Sequence, residues 1–123
     1  MASMIVVSGK SRGFYLALKE GTLTIGRDEA SDMQVLDEMV SRQHMQIRYD
    51  KQAGTFKVAD LDSANGVFIN GQRITGEIEI ADGDTILIGE SKLFYSTKDF
   101  LDGDSALMHF KQRGERGKST LIQ

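Results

Sequence analysis

Three clusters, far apart along the chain, carry side chains suited to holding a doubly charged oxyanion. The first is Gly26-Arg27, where glycine lets the backbone turn and arginine offers a planar fork of donors matched to phosphate. The second is Ser41-Arg42-Gln43-His44, which follows an acidic pair, Asp37 and Glu38. The third is Asp60-Leu61-Asp62-Ser63-Ala64-Asn65-Gly66, followed by Val67-Phe68-Ile69-Asn70-Gly71. Serine supplies a hydroxyl and asparagine both a donor and an acceptor, so the set can grasp an anion and the peptide backbone beside it. A phosphorylated side chain, with about −1.5 to −2 charges and three acceptor oxygens, fits such donors. Ser41 and His44 also have the residue types of a nucleophile and its base, but no third orienting residue stands at a familiar spacing.

The segments that must position these clusters are short and β-like. Ile5-Val6-Val7, Phe14 to Leu18 and Thr22 to Ile25 favour strands, and Lys19-Glu20-Gly21 reads as a hairpin turn joining the last two. Met45, Ile47 and Tyr49 alternate with polar residues, as do Phe56 and Val58 within Thr55 to Asp60, the signature of half-buried strands. Asn70-Gly71 is the strongest short hairpin signal, reversing Val67-Phe68-Ile69 into Gln72-Arg73-Ile74. Ile78, Ile80, Thr85 to Ile88 and Lys92 to Tyr95 complete the series, with Asp82-Gly83-Asp84 as a turn. Many short strands with no βαβ alternation predict an all-β sandwich or barrel. Beyond Thr97 the character changes: Asp99 to Gly103 is acidic and turn-like, Ala106 to Lys111 suits a short helix, and the last ten or so residues read as a mobile basic tail.

In their order and spacing, these motifs resemble the forkhead-associated (FHA) domain: Gly26-Arg27, then Ser41-x-x-His44, then Asp60-Leu61-x-Ser63-x-Asn65-Gly66-x-x-x-Asn70-Gly71, then Asp82-Gly83-Asp84-Thr85-Ile86-Leu87-Ile88-Gly89. The resemblance covers residues 4–97 and leaves 98–123 as a partly flexible, short irregular or helical extension. It implies a sandwich of two twisted antiparallel sheets whose loops at one end bind phosphothreonine peptides, without catalysis and without a cofactor. The implied partner is a phosphothreonine-containing protein, a Ser/Thr kinase or its substrate, and the implied role is that of an adaptor downstream of kinase signalling. Carried over by residue, Arg27 contacts phosphate, Ser41 donates its hydroxyl to it, Arg42 touches phosphate or peptide backbone, and Asn65 bonds the peptide backbone. Gly26, His44, Ala64, Gly66 and Asn70 support the binding loops. Glu38, Met39 and Val40 form the implied specificity loop. At Ala64 the family often has threonine, so one phosphate donor is absent and a phospho-independent interaction or assembly module is the alternative reading.

Composition sets the outer limits. The 123 residues match one domain, and 40% hydrophobic content allows one ordinary core. The absence of cysteine excludes disulfides, thiolate metal sites and cysteine nucleophiles. A net charge of −3 argues against generic nucleic-acid binding. No apolar run approaches a membrane span and no secretory leader is visible, so the expected location is cytoplasmic. Gly114 to Thr120 resembles half of a phosphate-binding P-loop but lacks its first glycine and the helix after it. Thr97, Ser119 and Thr120 are candidate phosphorylation sites through which the chain could recognise itself.

Overall fold

Strand after strand buries alternate side chains, and the buried sets converge from two sheets onto one core. The structure is a computed structural model that describes the backbone of residues 1–122 and the side chains of residues 1–113. The strands are β1 (Ala2–Val6), β2 (Tyr15–Leu18), β3 (Thr22–Gly26), β4 (Met33–Gln34), β5 (Met45–Asp50), β6 (Thr55–Asp60), β7 (Val67–Ile69), β8 (Gln72–Arg73), β9 (Glu77–Glu79), β10 (Thr85–Ile88) and β11 (Ser91–Ser96), followed by helix α1 (Gly103–Ile122). One sheet has the order β2-β1-β11-β10-β7-β8 and the other β4-β3-β5-β6-β9. The expected all-β sandwich is what forms. Met4, Val6, Ile86, Ile88 and Leu93 from the first sheet meet Ile25, Met45, Ile47 and Val58 from the second, all of them sealed from solvent. Each such side chain contributes about 1.5–3 kcal/mol relative to exposure.

Three expectations change. The turn at Lys19-Glu20-Gly21 does not close a hairpin. β2 pairs with β1 in one sheet and β3 with β5 in the other, so this segment crosses between layers. Turn residues specify where a chain reverses, but strand partners are chosen by which faces can be buried. The second sheet is not wholly antiparallel, because the two-residue strand β4 runs parallel to β3. The first strand begins at Ala2, ahead of the expected run Ile5-Val6-Val7, and Ala2 and Ser3 are both buried.

The helix is longer than Ala106 to Lys111. Its start is capped by the Asp102 carboxylate, which accepts the Ser105 N–H at 2.9 Å. Ala106, Leu107 and Phe110 then cover Ile5, Val7 and Phe94 on the outer face of the first sheet. Arg113 lies 5.3 Å over the Phe94 ring and pairs with Asp82, tying the helix to the turn before β10. The expected mobile tail therefore begins within helix. The P-loop-like segment lies in α1 as well, and its side chains, with those of Ser119 and Thr120, lie outside the described residues. No helix among the described residues is long and apolar enough to cross a membrane.

Candidate functional site

Register places the ends of both sheets together. Ile25 pairs with Met45 and Met45 with Asp60, so Gly26, His44 and Leu61 emerge at one end of the second sheet. In the first sheet Ile88 pairs with both Val67 and Ser91, which brings Gly66 and the Gly89-Glu90 turn to one edge. His44 joins these two ends. Its ring is fully buried, Nδ1 accepts the Ser41 N–H at 3.0 Å, and Nε2–H donates to the Gly66 carbonyl at 2.7 Å. Both ring nitrogens are therefore used on backbone. Ser41 Oγ, in turn, accepts the Ala64 N–H at 3.0 Å, so Ser41 and His44 do not form a nucleophile–base pair.

The remaining cross-links complete a rim. Gly26 passes so close to the next loop that a Cβ there would stand 2.1 Å from the Arg42 carbonyl oxygen, which only glycine permits. This approach lets Arg27 N–H donate to Ser41 O at 3.0 Å and Asp28 N–H to Arg42 O at 3.1 Å. Arg27 is exposed, and its Nε–H donates to the Val40 carbonyl at 3.0 Å. That bond orients the guanidinium while leaving its two Nη groups without an acceptor among the described residues. Ser41 keeps its hydroxyl proton to donate, because its oxygen is the acceptor in the bond to Ala64. Asn65 is exposed and donates from Nδ2 to Met39 O at 2.8 Å, which leaves Oδ1 as its acceptor. Arg42 is exposed and makes no ion pair among the described residues.

Arg27, Ser41, Arg42 and Asn65 thus stand on adjoining loops at one end of the sandwich, with Gly26, His44, Ala64 and Gly66 beneath or between them. Asn70 is elsewhere. It sits at the opposite end of β7, where it makes the expected hairpin with Gly71 (φ 50° and 86°), donates from Nδ2 to Asp84 at 2.9 Å and accepts the Thr85 N–H at 3.0 Å. It secures the sheet away from the rim. Val40, expected in the specificity loop, is only 1% exposed and belongs to the core, whereas Met39 is 46% exposed.

Two contributors escaped the sequence reading beyond their residue types. Asp37 is the clamp of the loop that carries Met39: its carboxylate accepts from the Ser91 hydroxyl at 2.7 Å, the Met39 N–H at 2.8 Å and the Glu90 N–H at 2.9 Å. Burial pushes this carboxyl upward, but those hydrogen bonds outweigh it and hold Asp37 below the ordinary carboxylate range. Beside the clamp opens a groove of about 830 Å³ that runs from Arg27 past Lys10, Leu36, Met39 and Glu90. The other contributor, Arg73, reaches the rim from β8 and lies against Gly66. Nothing among the described residues gathers three or more metal-ligating side chains.

Known proteins share both the sequence and the shape. The FHA domain family profile matches residues 23–89. The FHA domain-containing protein FhaA of Mycobacterium tuberculosis is 40% identical over 76 residues, which are 62% of this chain and 14% of that protein. The oxoglutarate dehydrogenase inhibitor of Corynebacterium diphtheriae is 36% identical over 95 residues, 76% of this chain and 64% of that one. The chain therefore spans less than two-thirds of the length of these relatives. A solved structure from a structural and functional analysis of phosphothreonine-dependent FHA domain interactions superposes with a TM-score of 0.70 at 32% identity, covering 80% of this chain and 98% of the other. With more than half of its residues inside the profile, and with a two-sheet sandwich that superposes on a solved member, this chain belongs to the FHA domain family.

Proposed function

We propose that residues 4–97 form a phosphothreonine-peptide binding unit, with 98–123 as an appended extension, and that the protein is a cytoplasmic adaptor acting downstream of a Ser/Thr protein kinase. Its partner is a phosphothreonine-bearing protein, the kinase itself or its substrate, and binding alone, without catalysis, is its activity. The observation that carries this reading is the gathering of Arg27, Ser41 and Arg42 on one rim, with guanidinium and hydroxyl protons still available. Arg27 and Ser41 take the phosphate oxygens, Arg42 adds charge, and Asn65 accepts a backbone N–H of the bound segment. Because the side chains of Arg27, Ser41, Asn65 and His44 bond the backbone of Val40, Ala64, Met39 and Gly66 respectively, the donors are held in place before the ligand arrives and little ordering entropy is lost on binding. The groove beside Arg27 receives a neighbouring ligand side chain, and the exposed Met39 favours an apolar one.

The test is calorimetric titration with a phosphothreonine peptide selected from an oriented library, its unphosphorylated twin, and Arg27→Ala. Wild type is expected to bind only the phosphorylated peptide. Arg27→Ala loses about 2 kcal/mol, roughly thirtyfold in affinity. Its fold survives, because the Arg27 side chain contributes a single hydrogen bond, part-buried, to a carbonyl. Unchanged binding by Arg27→Ala refutes the site. Equal capture of both peptides would favour the phospho-independent docking reading that the missing hydroxyl at Ala64 keeps open.

A further inference from the structure

Among the described residues, Arg73 stands at the rim without a counter-ion. The hairpin at Asn70-Gly71 pairs Phe68 with Arg73, so Gly66 lies two residues further along the facing strand, within diagonal reach of a long side chain. The guanidinium occupies that position: a Cβ on Gly66 would meet Arg73 Nε at 2.8 Å, Cζ at 3.0 Å and Nη2 at 3.1 Å. Gly66 also has φ 84°, a left-handed backbone that favours glycine, and the Arg73 side chain lies where a Cβ would stand. Its carbonyl is anchored on buried His44, so the surface on which Arg73 rests is rigid.

Arg73 is nevertheless exposed, and among the described residues no carboxylate lies within ion-pairing distance of it. Two other long cations of the sandwich are neutralised. Arg48 is paired with Glu77 at 2.6 Å and Lys57 with Asp50 at 2.9 Å. An exposed guanidinium lying over Gly66, the neighbour of Asn65, with no carboxylate paired to it among the described residues, is suited to receive an anion.

We propose that Arg73 is a specificity-determining residue: it forms a second anion subsite on the rim and selects phosphothreonine segments that carry another anionic group nearby. This rests on the phosphopeptide reading above. The phosphothreonine dianion occupies Arg27, Ser41 and Arg42. As the ligand backbone passes Asn65 it brings a flanking side chain over Gly66, where Arg73 meets a carboxylate or a second phosphate with its planar fork. Either group has the chemistry required, and the second phosphate, with more charge, binds more tightly.

The experiment uses the full chain and fluorescence anisotropy at low and physiological salt. Three peptide sets share one central phosphothreonine: all-alanine flanks, a single glutamate walked through each flanking position, and a single second phosphothreonine walked likewise. Each is titrated into wild type, Arg73→Gln and Arg73→Lys, with thermal unfolding confirming that each variant is folded. At one or more positions the acidic residue should tighten wild-type binding about fivefold, and more for phosphate than for glutamate. Arg73→Gln should abolish that gain while binding the alanine-flanked peptide within about twofold of wild type. Arg73→Lys, a point charge without the fork, should keep only part of the gain. No flanking preference in wild type, a preference that survives Arg73→Gln, or an equal loss for every peptide would each overturn the subsite while leaving phosphothreonine binding intact. Failure of wild type to bind even the alanine-flanked phosphopeptide would instead remove the function on which the subsite rests, and the subsite with it.

Discussion

His44 offers the sharpest test of how the rim is built. Its ring is fully buried and spans the two sheets through bonds of 3.0 Å from the Ser41 N–H and 2.7 Å to the Gly66 carbonyl. Replacing it with phenylalanine keeps a flat, somewhat larger aromatic ring but removes both nitrogens, so a backbone donor and a backbone acceptor lose their partners. Each buried unsatisfied group costs about 1–3 kcal/mol, which gives a total of about 2–6 kcal/mol against a usual stability of about 5–15 kcal/mol. For a domain of this size that corresponds to a fall in Tm on the order of 10 °C or more. Alanine would add a cavity and do worse. Equilibrium urea unfolding of wild type and His44→Phe reads the difference directly, provided the slope with denaturant is unchanged. Phosphopeptide affinity should fall too at temperatures where the variant remains folded, because Ser41 and Gly66 would no longer be held in register. A variant as stable as wild type to within about 0.5 kcal/mol would show that the ring merely fills space, and the account of the rim as a hydrogen-bonded joint would be wrong.

Other expectations follow from the same geometry. The Asp37 carboxyl lies below its ordinary value of 3.8 in the folded state, so the stability it contributes is complete above that pH and is lost as pH falls through the lower folded-state value. The difference in urea midpoint between wild type and Asp37→Asn should therefore narrow progressively below about pH 4, and a gap that stays constant down to about pH 2 would contradict the clamp. Ala64→Thr leaves the backbone bond to Ser41 in place and adds a hydroxyl beside it, so phosphothreonine-peptide affinity should rise about three- to tenfold by titration. No gain would mean that this position does not face the phosphate.

Much of this was legible in the residues themselves. Thr55–Asp60, Val67–Ile69 and Thr85–Ile88 form strands at the bounds that alternation and turn residues indicate, because period-two burial and left-handed turns are properties of a few adjacent positions. The motif residues Arg27, Ser41 and Asn65 could be picked out for the same reason: residue type and spacing survive without a fold. Partner choice could not. That β2 and β3 separate into different sheets depends on which edge each one buries, and β4 is too short to carry any pattern.

The roles of Asp37, Arg73 and Asn70 belong to the same class. Asp37 finds the Ser91 hydroxyl 54 positions away, a pairing that no local pattern encodes. Arg73 reads as an ordinary strand arginine until the hairpin lays it on Gly66, and Asn70, adjacent in sequence to the binding motif, is carried to the far end of its strand by three intervening residues. Residue type and spacing sufficed to name the donors and the strands that flank them, since both are written in local chemistry. Which donors share a rim, which are already occupied and which remain open to a ligand emerged with the fold, because those depend on register between strands that meet across long separations in the chain.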